Sequence, residues 1–139
     1  MNVLVDTNVI SELQRGRNAT PRVVEWFAAL APQNIFTSVI VLGEIRRGIE
    51  LVALRDKPQA EALEHWYRSV REQLGDRVLA VDEPIMALWA RISVPNMPPA
   101  YDGLIAAAAL ARGLTIATRN AEDFRRTGAK VINPWKDRP

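Results

Sequence analysis

The sequence predicts an α/β domain of three layers, with a mainly parallel sheet of about five strands between helices on both faces. Three observations predict it. Short, continuously apolar segments alternate along the chain with helical stretches, the pattern of a parallel sheet covered on both sides. The chain has 139 residues, 48% of them apolar, enough to bury one core. No segment repeats and none is of low complexity, so residues 1–139 read as a single domain.

The elements follow in order. Val3-Leu4-Val5 is a buried strand that turns into a helix at Asp6-Thr7-Asn8. Pro21 opens a second helix, with Val24, Phe27, Ala28 and Ala31 at helical spacing up to Pro32. Ile35-Phe36-Thr37 is the second strand, and Ser38 can cap a helix running to about Val52. Asp56-Lys57-Pro58 starts a longer helix with the stripe Leu63, Trp66, Tyr67, Val70 and Leu74, and Gly75 stops it. Val78 to Val81 is the third strand, and Asp82-Glu83-Pro84 starts a helix through about Ile92. The proline-rich Val94 to Pro99 can only be a loop. Asp102 to Arg112 is a helix that is apolar nearly all round, hence buried, and Gly113 closes it. Thr115-Ile116-Ala117 is the fourth strand, Asn120 to Arg126 a short helix and Lys130-Val131-Ile132 the fifth strand. Right-handed crossovers bring all strand C-termini to one edge, where open α/β sheets place their sites. Asp6, Ser38, Asp82 and Thr118-Arg119-Asn120 all fall just past a strand end.

Composition removes several functions. There is no cysteine and one histidine, His65, which excludes a thiol nucleophile, a zinc ribbon and a disulfide scaffold and argues against a Ser-His-Asp triad. The longest apolar run, Leu104 to Ala111, falls far short of the ~20 residues that span a bilayer. No basic stretch precedes an apolar segment at the N-terminus, so the expected location is the cytoplasm, without membrane attachment. The net charge is only +2, but 15 of the 18 basic residues are arginine, whose planar fork suits phosphate. A GC-rich genome produces the same bias, so the excess permits a nucleic-acid partner without requiring one.

Three carboxylates stand out. Asp6 directly follows a strand; it could cap the next helix, although Asn8 is better placed to cap a helix beginning at Val9. Glu44 lies outside the polar face of Gly43, Arg46, Arg47 and Glu50, on the edge of the apolar stripe Val41, Leu42, Ile45, Ile49 and Val52. A carboxylate there needs a cation or a hydrogen-bond donor, and an arginine could be the partner. Asp102 opens a buried helix, and by itself it reads as an N-cap. Acids arriving from a strand end, a helix flank and a buried helix start suggest convergence on a shared cation, because clustered carboxylates repel one another. With oxygen ligands only, Mg²⁺ or Mn²⁺ suits such a site better than zinc or copper. Ions of this kind promote attack of water on phosphodiesters and stabilise the leaving oxygen, with no protein nucleophile.

These segments resemble a known family. Val3 to Ser11 and Thr37 to Gly48 look like the start of a PIN-domain ribonuclease, and Asp102 to Ala109 and Thr118 to Phe124 look like its second half. The similarity runs from end to end and is greatest to the VapC-type toxins of bacterial toxin–antitoxin operons. It extends to their FitB-like branch through the terminal Asn133-Pro134-Trp135. The resemblance implies that Asp6, Glu44 and Asp102 form the catalytic and metal-binding centre of a Mg²⁺-dependent endoribonuclease. It implies that Thr7 and Ser38 orient those carboxylates or a metal-bound water; Thr118 is a further supporting candidate. It also implies an RNA substrate, a cognate antitoxin and a homodimer, or a toxin–antitoxin hetero-oligomer. The chain departs from the family pattern twice. Asn120 stands where a fourth acid often does, so that Asp123, one helical turn on, is the alternative source of charge. The link from Ile92 to Asp102 is shorter than in FitB-like proteins and rich in proline.

Other residues read more plainly. His65 lies on a polar helix side, Asp82-Glu83-Pro84 starts a helix, and Trp26, Trp66 and Trp89 belong to apolar stripes. Arg46, Arg47, Arg119, Arg125 and Arg126 could rim the site and hold RNA phosphates, or be ordinary surface. Among rivals, a receiver domain needs a lysine after the fifth strand, where Asn133-Pro134 stands, and leaves Glu44 and Asp102 unexplained. A dinucleotide-binding protein needs glycines in the first turn. A catalytically silent PIN domain kept for binding is the remaining alternative.

Overall fold

Short, largely apolar segments of two to four residues form the strands and amphipathic or buried segments form the helices in the computed structural model, which describes residues 1–139. The order is β1 (Val3–Val5), α1 (Thr7–Gln14), α2 (Pro21–Ala28), β2 (Ile35–Ser38), α3 (Val39–Ala53) and α4 (Lys57–Leu74). It continues with β3 (Val78–Leu79), α5 (Glu83–Ile92), α6 (Ala100–Arg112), β4 (Thr115–Ala117), α7 (Ala121–Arg125) and β5 (Val131–Ile132). The five strands form one sheet in the order β3-β2-β1-β4-β5, and every neighbouring pair is parallel.

β1 therefore lies at the centre, buried on both faces. Leu4 is wholly enclosed, and its replacement by alanine would cost about 2–5 kcal/mol. The chain leaves β1 for β2 on one side, while β4 pairs on the other. The crevice beyond β1 and β4 is thus the switch point of the sheet, where α/β folds bind ligands. Around the sheet, α3 contributes Val41, Leu42, Ile45 and Ile49, and α6 contributes Ile105 and four buried alanines, Ala106 to Ala109. Gly75 and Gly113 end α4 and α6 with φ of +56° and +64°, a conformation that costs glycine little.

Five expectations need correction. Helix α1 begins at Thr7 with Asp6 as its cap, so Asn8 is not the cap residue. Helix α2 stops at Ala28 and buries Val23 and Trp26; Val24 and Ala28 are exposed, because the core lies a third of a turn from the stripe inferred. β3 is only Val78–Leu79 and β5 only Val131–Ile132, each pairing with a single neighbour at a sheet edge. Helix α6 starts at Ala100, which puts Asp102 inside the first turn rather than at the cap. α7 is shorter than expected at both ends.

Candidate active site

Asp6 is positioned by the sheet. Its backbone N–H donates to the carbonyl of Ala117 at 2.9 Å, one further rung of the β1–β4 ladder. The side chain is nearly buried where α1 begins. Oδ1 accepts from the Thr7 N–H at 2.8 Å; Oδ2 accepts from Thr118 Oγ1 at 2.7 Å and Asn8 Nδ2 at 3.3 Å. Thr118, the residue after β4, is fully buried, and its Oγ1 also accepts from the Asn120 N–H at 3.1 Å and from Asn8 Nδ2 at 3.2 Å. The Asn8 carbonyl oxygen in turn accepts from the Arg119 N–H at 3.1 Å. One side-chain amide thus ties the end of β1 to the end of β4.

Glu44 comes in from α3, half-buried, and meets a hydroxyl: Thr7 Oγ1 donates to its Oε1 at 2.9 Å. This contact explains a carboxylate on the flank of an apolar stripe, and no arginine is involved. Asp102 is half-buried in the first turn of α6, within electrostatic reach of Asp6. The wall beside it is built by the proline-rich link and α5. A Cβ on Gly103 would stand 3.1 Å from Pro98 Cγ and from the Trp89 ring, so glycine allows that wall to close on α6.

The electrostatics are those of carboxylates crowded away from water. Burial raises the pKa of Asp6, and the hydrogen bonds from Thr118 and Thr7 only partly offset it. Burial raises that of Glu44 too, opposed by the Thr7 hydroxyl and reinforced by the charges of Asp6 and Asp102. Asp102 is raised by burial and then by the charges of Asp6 and Asp123. The ion pairs of the protein lie elsewhere, at Arg15–Glu12, Arg46–Glu50, Arg46–Glu64, Arg68–Glu64 and Arg125–Glu122. No lysine or arginine pairs with Asp6, Glu44, Asp102 or Asp123.

The structure sorts the other candidates. Thr7 and Thr118 hold site carboxylates directly. Ser38 does not: its buried Oγ accepts from the Val41 N–H at 3.3 Å and caps α3. Asn120 and Asp123 lie at the exposed rim, Asp123 close enough to act on Asp102. Asp82 caps α5 beyond the edge strand β3, and His65 is exposed on α4. Arg46 is held by Glu50 and Glu64 and lies over the Tyr67 ring; Arg125 is paired with Glu122. Arg119 sits over the Trp135 ring at 4.9 Å, and the backbone N–H of Trp135 donates to Asn133 Oδ1 at 2.9 Å. Asn8 is the residue that sequence reasoning missed as a site element. Its only signal was a second polar residue after Asp6, which a helix cap explains equally well.

The donor set suits a hard divalent cation. All its ligating atoms are oxygens, three of its acids have raised proton affinity, and no protein cation balances them. No three of the acids are placed to hold an ion between them; Mg²⁺ commonly binds through one or two carboxylates and keeps much of its water.

Comparison with known proteins identifies the family. A model of the PIN domain matches residues 3–130. The toxin FitB of Neisseria gonorrhoeae is 36% identical, over 97% of this chain and 99% of that protein. A VapC ribonuclease of Sinorhizobium fredii is 30% identical, over 96% of this chain and 98% of its own length. The structure of FitAB bound to a DNA fragment superposes with a TM-score of 0.88 at 33% identity, covering 99% of this chain and 98% of that one.

Proposed function

The chain belongs to the PIN-domain family, and we propose that it is a metal-dependent endoribonuclease serving as the toxin of a toxin–antitoxin pair. The observation that carries the proposal is the meeting of Asp6, Glu44 and Asp102, each with raised proton affinity and none with a protein cation. Such a site gains by taking in positive charge. The identity to a named ribonuclease and to a named toxin supports the same reading.

Asp6, Glu44 and Asp102 would hold Mg²⁺ or Mn²⁺, with Asp123 and Asn120 at the rim. When bound, such an ion supplies Lewis acidity for hydrolysis of a phosphodiester. The protein supplies the positions. Thr118 and Asn8 fix the rotamer of Asp6 through Oδ2, and Thr7 fixes Glu44 through Oε1 while its own N–H holds Asp6 Oδ1. Arg119, which lies over the Trp135 ring, would meet an RNA phosphate.

The same reading brings a cognate antitoxin, whose basic side chain would satisfy the unpaired acids and compete with the metal. FitB's assembly with FitA on DNA is the precedent. It also brings a homodimer and cytoplasmic location; no helix here is long and apolar enough to cross a membrane. The deciding experiment incubates the purified protein with total cellular RNA and Mg²⁺ or Mn²⁺. Discrete fragments are expected, absent with chelator and absent for Asp6→Asn. RNA that is bound but left intact with either metal would make this a silent PIN domain.

A further inference from the structure

Two depressions flank the acids and differ in chemistry. One, of about 210 Å³, is almost wholly polar, lined by Arg119, Asn120, Glu122, Asp123 and Lys136 among others. The other, of about 560 Å³, shares Thr7 and Glu44 with the acidic site and is otherwise formed by Val39, Ile40, Gly43, Arg47 and Tyr101. We propose that this second groove seats an unpaired nucleobase of the RNA next to the scissile phosphate, with Tyr101 as its stacking face and Arg47 as the cation for that nucleotide's phosphate. The proposal rests on the nuclease reading and specifies which part of the substrate lies there.

Five features support it. The volume falls in the range of about 300–1,000 Å³ typical of small-ligand sites. Tyr101 and Val39 are large apolar side chains left 57% and 42% exposed, which gives the groove an aromatic face and an aliphatic rim open to an occupant. Tyr101 directly precedes Asp102 and Glu44 lines the groove, so an occupant on the ring lies beside the acids. Arg47 has no carboxylate partner, whereas its neighbour Arg46 is held by Glu50 and Glu64. Gly43, with no side chain of its own, leaves the α3 side open; a Cβ there would meet nothing within 4 Å. Any base presents a π-face to a tyrosine, but a base within a duplex has both faces stacked already, so the groove selects unpaired nucleotides.

The test is a fluorescence-anisotropy titration of the full-length chain with Mg²⁺ and a short, cleavage-resistant 2′-O-methyl phosphorothioate oligonucleotide. The same backbone without bases, and the oligonucleotide annealed to its complement, serve as comparators. Tyr101→Ala should weaken binding of the base-bearing single strand about 5- to 100-fold. Tyr101→Phe should stay within about twofold of wild type, because the ring is kept. Gly43→Leu, which fills the groove, should act like Tyr101→Ala. Neither variant should change binding of the abasic backbone, which shows in the same experiment that they fold. Equal losses on the abasic backbone, an unchanged Tyr101→Ala, duplex binding as tight as single-strand binding, or no binding by wild type would each overturn the proposal. If wild type cleaves no RNA yet shows the expected binding pattern, the nuclease reading fails and the base seat stands.

Discussion

Helix α1 has a carboxylate at each end, and the protein treats them in opposite ways. Glu12, near its C-terminal end, is buried and fully met. Its Oε1 accepts from the Thr20 N–H at 2.8 Å and Thr20 Oγ1 at 2.6 Å, and Arg15 lies within 3.4 Å of both oxygens. Those Thr20 hydrogen bonds, with Arg15 in support, pull its pKa down. Asp6, at the N-terminal end, and the two acids it meets are pushed up, and no cation answers them. A carboxylate with its partners in place is a structural clamp, here closing the turn between α1 and α2. Carboxylates gathered without a cation keep the folded state under repulsion, and proteins do so where a ligand supplies the missing charge. Burial alone does not separate the two cases; the sign of the shift does.

The largest effect that would break this contrast is on activity. Asp6→Asn, Glu44→Gln and Asp102→Asn should each reduce RNA cleavage at least about 100-fold, since several kcal/mol of transition-state stabilisation depend on the site. Glu12→Gln should leave cleavage per folded molecule unchanged while lowering the melting temperature. A cleavage loss for Glu12→Gln with no loss for Asp102→Asn would reverse the assignment of the two regions.

Next in size is metal linkage. Mg²⁺ at about 100 times its dissociation constant should stabilise the wild-type fold by about 2.7 kcal/mol. A thermal melt with and without the ion would show this, and Glu12→Gln should respond as wild type does. Asp102→Asn should lose most of the response. Equal shifts in all three proteins would place ion binding outside the crevice.

A smaller effect concerns pH without metal. The raised values mean that the folded chain holds protons the unfolded chain has released. The three site acids therefore weaken the fold progressively as pH rises from the ordinary carboxylate range, about 4, through their raised values. Asp102→Asn should thus melt higher than wild type at neutral pH, with the gap closing on acidification. Asp6→Asn should gain less, because Oδ2 accepts two hydrogen bonds that an amide group reproduces only in part. Glu12 has the opposite sign: its contribution is present above the ordinary range and is lost as pH falls through its lowered value. Melting curves across pH for the variants would separate the two behaviours.

The smallest effect separates the rim residues. Asp123→Ala should raise the Mg²⁺ midpoint for cleavage about tenfold, the low end of what an outer partner of a metal site contributes. Asn120→Ala should raise it less, because the recorded contact of Asn120 at the site is its backbone N–H to Thr118. Asn120→Asp should be tolerated and should recover much of the Asp123→Ala loss. An Asp123→Ala titration identical to wild type would confine the site to three carboxylates.

Much of the candidate site could be read from residue order because its signals are local. Asp6 after a run of three apolar residues, and Glu44 on the wrong side of an otherwise regular helix, are visible within one or two turns of chain. Asp102 stood out at the start of a buried helix and Thr118 just past a strand end, while Thr7 came with the family motifs. Ser38 illustrates the limit: one hydroxyl can cap a helix or orient a carboxylate, and only its neighbours decide, here the Val41 N–H. Among the arginines, Arg46 is held by Glu50 within α3 and by Glu64 of α4, and Arg125 by Glu122 within α7, while Arg47 and Arg119 have no carboxylate partner; only the Arg46–Glu64 pair depends on which helices pack together.

The sequence by itself determined the alternation of strands and helices, the parallel sheet, the buried α6 and the three acids, because hydrophobic periodicity and residue type are properties of short stretches of chain. The tertiary structure alone decided that β4 lies against β1. That pairing sets Thr118 on Asp6 across 112 residues and makes Asn8 a tie between strand ends rather than a cap. It also decided which carboxylates would find partners and which would not. Periodicity carries no information about that choice, since burial, donors and like charges come together only when distant segments pack.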